Sequence, residues 1–388
     1  MAILSRTHIN TIRQLNWDDG TKLSFVITSD IDRYVSKAKL IGASVKTFKS
    51  LTILKYTDEV KIVSNKTVII GLGVPLNFKD SNFIEIDFTN TDSSKLKTMI
   101  DMFKGCNRLE KLNLKNLDTS NVDNMYNTFS GCTNLKELDL SSFNTSKVTT
   151  MRGLFHDCRS LTEIDISNFD TSKVLDLASM FQYCISLEKV VINKLDVGNT
   201  TDMSCMFSNC YKLKHINLDI INGYNIRNTT GMFNNCNSLM DLDISALKSK
   251  KLLTSAMMFS GCKSLEKIDM GNVLSEDLED TFSMFLGCIK LRVLNIGNIK
   301  LYTGLYSNIE NTLKGCEDLE EIHIGSADEQ AVNKIMREVD SLCHKLKKIV
   351  VKDYDTAERF REQVKYYSYS HEFMKSVQVI WEYGETVG

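Results

Sequence analysis

Eleven cysteines hold most of the reactive chemistry in this 388-residue chain, and ten of them stand at regular intervals. Cys106, Cys132, Cys158, Cys184, Cys210, Cys236, Cys262 and Cys288 follow one another at 26-residue steps, with Cys316 after 28 and Cys343 after 27. Cysteine offers disulfides, metal ligation or thiolate attack. A tetrahedral metal site needs several sulfurs or imidazoles to converge, and no Cys-x-x-Cys pair occurs. Stacked repeats would set neighbouring cysteines about 5 Å apart, within disulfide reach. The same column lies on an apolar stripe beside phenylalanine, where a thiol acts as a small hydrophobe. The expectation is a reduced core ladder, with some oxidised pairs or a metal role as alternatives. Cys205, off the comb beside Ser204, reads as a partly buried cysteine, with a reactive thiol as its alternative.

Carboxylates form the second candidate constellation. Seven residues after each cysteine come Asn113, Asp139, Asp165, Val191, Asn217, Asp243, Asp269, Asn295, His323 and Val350. Glu137, Glu163, His215, Lys267 and Glu321 flank this column. Neighbours about 5 Å apart would repel where charges are alike. The stripe is therefore either a solvated habit of the repeat, a face that meets a basic or polar partner, or a cation site. Histidines are few and scattered, and His215 and His323 lie four repeats apart, too far to share a ligand. The methionines before the phenylalanines (Met180, Met206, Met232, Met258, Met284) read as core. Gly71-Leu-Gly73 lacks the third glycine and following helix of a nucleotide loop. No nucleophile elbow or phosphate loop appears, and neither a cofactor nor a small-molecule substrate is expected.

The elements that must position these residues follow from periodicity. Self-similarity at 20–50 residues marks a repeat array. Leu lies three residues after each cysteine, and apolar residues lie six and eight after it, as in Leu112/Leu114, Leu138/Leu140 and Ile164/Ile166. That alternation is a short strand with one face inward, and one strand per repeat requires parallel stacking. Upstream, Val122, Met125, Phe129 and Cys132 are spaced 3, 4 and 3, which predicts a short helix. Turns such as "LDTS" (Leu117–Ser120) and "FDTS" (Phe169–Ser172) join strand to helix. One 26-residue unit buries too little to offset its ordering entropy, so stacking is the fold.

The combined pattern "MFxGCxxLxxLDLSxFDTSxVxxM", from about Leu96 to Val351 and strongest from Phe103 to Met206, resembles the leucine-rich repeat of BspA-like bacterial surface proteins. The resemblance implies an α/β repeat fold: a right-handed, curved leucine-rich-repeat solenoid with its parallel sheet on the concave face. It also implies members that bind proteins, often on host cells, and that usually carry export signals or wall anchors.

The expected organisation is a β-rich N-terminal cap over 1–78, the solenoid over 79–326, and a last repeat with an α/β cap over 327–388. Asp19-Gly20 predicts a hairpin, and "SLTILKY", "EVKIV" and "KTVIIGLGV" predict strands. Phe83, Ile86 and Phe88, with Asp80 at the cysteine position, predict a degenerate first repeat. "DEQAVNKIMREVDSL" and "DTAERFREQVKYY" predict helices and "SVQVIWEYG" a last strand.

A net charge of −2 gives no electrostatic case for nucleic acid. No apolar run is long enough for a membrane span. The N-terminus lacks the basic, apolar and small-residue succession of a secretory signal. The expected function is a non-enzymatic protein-binding scaffold, bacterial or phage-encoded and cytoplasmic, acting as an inhibitor or adaptor. The alternative is a cell-surface adhesin. The protein partner is not identified by the sequence. Its contacts are expected on the concave face, or on the diverged turns that carry Tyr224, Lys250, Lys251, Tyr302 and Tyr306, since aromatic and basic residues suit interface anchors.

Overall fold

In the computed structural model the described residues are 2–48, 51–64, 68–70, 78–218, 220–244, 247–271, 278–301 and 308–382. They form two compact units, Met1–Val174 with Met180–Asn193, and Leu175–Ser179 with Lys194–Gly388. Both are built from repeated units with parallel strands.

The first unit opens with β1 (Ala2–Ile3), α1 (Arg6–Gln14), β2 (Lys22–Ile27), α2 (Ile31–Leu40), β3 (Ser44–Thr47), β4 (Thr52–Lys55), β5 (Glu59–Ser64) and β6 (Val68–Ile69). Its repeat strands are β7 (Glu85–Asp87), β8 (Thr91–Asp92), β9 (Lys111–Asn113), β10 (Glu163–Asp165) and β11 (Lys189–Val191). A six-stranded sheet runs β3-β4-β5-β2-β7-β9. β2 lies parallel to β5 on one side and to β7 on the other, with Leu23 opposite Ile86. The N-terminal segment thus extends the repeat sheet with its own strand.

Two expectations for this segment need correcting. It is mixed α/β rather than β-rich. α1 buries Ile9 and Ile12 and is capped by Ser5 and His8, and Asp30 caps α2 by accepting from the Arg33 N–H at 3.0 Å. Asp19-Gly20 makes no hairpin, because β2 finds parallel partners. Gly20, at φ +64, instead donates to the Asn82 carbonyl. The strands expected in "SLTILKY" and "EVKIV" are present as β4 and β5, that in "KTVIIGLGV" is β6 at Val68–Ile69 with 66–67 and 71–74 outside the described residues, and Phe83, Ile86 and Phe88 are fully buried.

The second unit contains β12 (Leu195–Asp196), β13 (His215–Ile216), β14 (Ile220–Ile221), β15 (Asp241–Leu242), β16 (Lys267–Asp269), β17 (Val293–Leu301), β18 (Glu321–Ala327), α3 (Glu329–Leu342), β19 (Lys348–Val351), α4 (Tyr354–Ser368) and β20 (Gln378–Trp381). The last five strands form one parallel sheet in the order β16-β17-β18-β19-β20. α3 buries Ala331, Val332, Ile335, Met336 and Val339, the stripe its spacing requires.

The short helix expected in each repeat is absent: no described residue from Phe78 to Leu319 is helical. The apolar spacing of 3, 4 and 3 belongs instead to successive turns. Met99, Asp101, Phe103 and Gly105 donate N–H bonds of 2.7–2.9 Å to the carbonyls of Asn124, Tyr126, Thr128 and Ser130 in the next layer. Between them, Met102, Lys104 and Cys106 close back three residues. An α-helix would instead direct each N–H four residues back along its own chain.

What enforces this geometry is a pair of left-handed residues four apart in every layer. Asp101 and Gly105, Asn127 and Gly131, Gly153 and Asp157, and Ser179 and Tyr183 all have positive φ. So do Cys205 and Asn209, Gly231 and Asn235, Met257 and Gly261, and Ser283 and Gly287. Glycine, asparagine and aspartate accept this conformation most readily. Gly131 is required twice over, since a Cβ there would lie 3.3 Å from the Gly105 backbone.

Phenylalanine rings stack face to face along each unit. Centroids are 5.6 Å apart from Phe78 to Phe103, Phe103 to Phe129 and Phe129 to Phe155, and again from Phe207 to Phe233 and Phe259 to Phe285.

The layer polarity creates a problem at the last turn, whose donors have no following layer. Glu338 of α3 solves it. Its carboxylate takes the Leu313 N–H at 2.7 Å and bonds the backbone of Asn311 and Thr312. Burial raises its pKa above the usual carboxylate value, and those backbone donors oppose the rise.

Candidate functional site

All eleven cysteines are free, and every one on the comb is buried. Each comb thiol for which a bond is described points at the phenylalanine carbonyl of the preceding layer. Cys132 meets Phe103, Cys158 meets Phe129 and Cys236 meets Phe207, at 3.1–3.2 Å. Burial pushes the Cys106 thiol up to about 11 and those of Cys158, Cys236 and Cys343 up to about 12. A thiol held protonated is neither nucleophile nor metal ligand. The half-buried Cys205 has positive φ, and its thiol lies 3.7 Å from the Thr230 carbonyl. Among the described residues no group of three or more His, Cys, Asp or Glu side chains could hold a metal ion.

The strand face carries the other constellation. Asn113, Glu137, Asp139, Glu163 and Asp165 of the first unit are all exposed, as alternation requires. They line one trough of about 870 Å³, together with Glu85, Glu110, Lys111, Leu112, Lys136, Leu138 and Thr162. Six carboxylates and two lysines make it acidic.

Charges across adjacent strands mostly alternate in sign. Lys22 pairs with Glu85 at 2.6 Å, and Lys189 pairs with Glu163. The exception is the step between the layers of Glu137 and Glu163. There Asp139 and Asp165 also stand in one column, and Glu137 has no hydrogen bond or ion pair among the described residues.

The aspartates have a further task. The Asp139 Oδ1 accepts the Ser141 N–H at 2.9 Å, and the Asp165 Oδ1 accepts that of Ser167 at 2.8 Å. The serine side-chain and backbone bonds hold both carboxyls below the usual carboxylate pKa. Asn113, Asp269 and Asn295 close the same turn onto Lys115, Gly271 and Gly297. In these five layers the column therefore shapes the turn that follows the strand.

In the second unit His215 is exposed, and its Nδ1 lies 2.9 Å from Asp241. Asn217 and Asp243 are exposed. Asp269 accepts from the Asn295 Nδ2 at 3.0 Å. Asn295 and the half-buried His323 share a small hollow of about 90 Å³. His323 pairs with Glu321 at 2.6 Å, and Glu321 with Lys348 at 2.9 Å.

Of the diverged turns, Tyr224 is 58% exposed and stands one layer from the exposed Lys250. Lys251 donates to the Asn225 Oδ1 at 2.7 Å. Ser249 is buried, and its hydroxyl donates to the Ile226 carbonyl of the preceding layer at 2.5 Å, whereas Thr119 and Thr145 at the same position donate to carbonyls of the following layer. Tyr302 and Tyr306 lie outside the described residues, as does the Gly71-x-Gly73 segment.

Sequence reasoning had not placed Glu85, Glu110 or Lys136 at the trough. Their signal was available, since Glu110 and Lys136 share one column four residues after the cysteine and Glu85 occupies the corresponding strand of the degenerate repeat.

No helix among the described residues is long and apolar enough to cross a membrane. No match to a curated protein was found. One family model matches residues 76–164, 161–272 and 214–326, overlapping copies that together cover well over half the chain. Its span coincides with the stacked layers, and the chain belongs to that repeat family, described as "Mycoplasma protein of unknown function, DUF285".

Proposed function

We propose that this protein is a non-enzymatic binding scaffold of bacterial origin whose strand face takes a basic segment of a protein partner. The fold behind this reading is a right-handed leucine-rich-repeat solenoid of the BspA-like kind. The working compartment is the cytoplasm. One observation carries the proposal: the trough in the first unit holds four carboxylates, Glu137, Asp139, Glu163 and Asp165, on two adjacent layers, with only Glu163 paired to a lysine. Like charges at strand-neighbour distance repel, and a lysine or arginine side chain seated between them would relieve that repulsion. Strand-borne side chains also present a rigid array at low entropic cost. The comb thiols are buried behind this face.

The test is affinity capture with the full chain from a bacterial lysate and from a host extracellular-matrix extract. The informative variant is Glu137→Lys with Glu163→Lys, because neither side chain bonds the backbone. Asp139 and Asp165 are unsuited, since replacing them also opens a turn. One stoichiometric partner lost with the variant supports the reading. A partner retained by the variant moves the contact off this face. Recovery only from the matrix extract replaces the cytoplasmic reading with an adhesin.

A further inference from the structure

The C-terminal end of α2 departs from the pattern of a solvated helix. The inner side of the helix packs Tyr34, Val35 and Ala38 against Val26, Val45, Leu54, Tyr56 and Val63. Opposite them, at spacings of three and four, stand Arg33, Ser36, Lys37 and Leu40, all exposed. Leu40 is 86% exposed, and the next residue, Ile41, is 74% exposed. No other pair of consecutive aliphatic residues among the described chain is so open. Gly42 follows with φ +86 and nothing within 4 Å of where its Cβ would be, so the turn projects from the unit.

The surrounding charge is cationic. Lys37 and Lys39 are exposed and form no ion pair among the described residues, while the acidic Asp30 and Asp32 lie at the opposite end of the helix. Asp30 is engaged as the N-cap.

We propose that the Leu40–Ile41 turn of α2 is a membrane-surface contact that inserts its two aliphatic side chains among anionic lipid headgroups. The tip is convex, and the hollow of about 370 Å³ beside this helix, lined by Thr28, Asp30, Arg33, Tyr34 and Lys37, does not include Leu40 or Ile41. The tip fits a deformable interface, where aliphatic groups enter the acyl boundary while lysines meet lipid phosphates. Two aliphatics and three cations give weak, reversible docking, strengthened by an anionic surface and screened by salt. This surface is independent of the acidic trough, which an anionic membrane would repel.

The test is co-sedimentation of the full chain with vesicles of phosphatidylcholine mixed with phosphatidylglycerol, and with vesicles of phosphatidylcholine alone. The expected result is binding to the anionic vesicles only, weakened by added salt. Leu40→Ser with Ile41→Ser should lower vesicle affinity at least about tenfold, and Lys37→Glu with Lys39→Glu should do the same. All four positions are exposed, so an unchanged circular dichroism spectrum is expected for both variants. Failure of the intact chain to bind anionic vesicles, or equal binding by the serine variant, overturns the proposal. If vesicles are ignored and a protein partner is lost with the serine variant, the turn is a protein contact instead.

Discussion

The N-terminal end of the first unit and the C-terminal end of the second are closed in different ways, and the difference follows from the direction of the backbone bonds between layers. In the turns each layer donates N–H groups to the carbonyls of the layer after it. The last layer is therefore left with donors, and one carboxylate, Glu338, collects them. The first layer is left with carbonyls and with a strand edge. There the closure is distributed. β2 pairs with β7, Ile84 donates to the Thr21 carbonyl, Gly20 donates to Asn82, and the buried Asp18 takes the Asn82 N–H at 3.0 Å. At the C-terminal end one side chain on α3 collects the turn donors while β19 and β20 continue the sheet, whereas at the N-terminal end strand and turn partners both come from one segment.

Removing the single side chain should have the largest effect. Glu338→Ala leaves up to three backbone donors without an acceptor, a loss of roughly 3 kcal/mol or more at about 1–3 kcal/mol per unsatisfied group. Hydrogen exchange should accelerate at Asn311, Thr312 and Leu313 first. Glu338→Gln keeps an acceptor and should lose less.

Asp18→Ala, at the distributed end, should cost only about 1–2 kcal/mol, because one bond among several is lost. A cost equal to that of Glu338→Ala, measured by urea unfolding, would erase the contrast.

Away from both ends, Met257 occupies a left-handed position that Gly153 and Gly231 fill in other layers. Met257→Gly should raise stability by about 1 kcal/mol. A lower thermal midpoint would show that its half-exposed side chain contributes more than the strain it imposes.

The smallest effect is in pH. Glu338 has a raised pKa, so its contribution is full below the ordinary value of 4.5 and diminishes as pH rises through the raised one. Asp92, Asp118, Asp139 and Asp165 have lowered values, so their turns hold above the ordinary 3.8 and weaken as pH falls below it. Hydrogen exchange should show the C-terminal layer loosening slightly as pH rises above 4.5 in the wild type but not in Glu338→Gln. The repeat turns around Ser120, Ser141 and Ser167 should loosen only in acid.

The cysteine comb, the parallel strand columns, α3, α4 and β20 were legible because each rests on a spacing that only one backbone satisfies. The repeat helix was misread because apolar residues at 3, 4 and 3 fit a helix and a run of turns equally well. The discriminating signal was polar: glycine, asparagine, aspartate or serine at most of the paired positions, including the glycines before Cys106, Cys132, Cys262, Cys288 and Cys316. The outward direction of Asp139 and Asp165 was readable from alternation. Their bonds to Ser141 and Ser167 were not, since they depend on how tightly the strand ends. α1 and α2 were missed because their apolar stripes are short, although Asp30 and Gly42 mark the two ends of α2.

Within each unit the described backbone bonds between layers run from one layer to the next, at a step of 26 residues through most of them. Excising one whole layer would bring every donor before an equivalent acceptor, whereas excising a single residue would turn each column behind it out of register. An insertion or deletion of one whole 26-residue step therefore conserves the register of the layers on either side of it. Layer number changes by such a step, and the extent of the strand face changes with it.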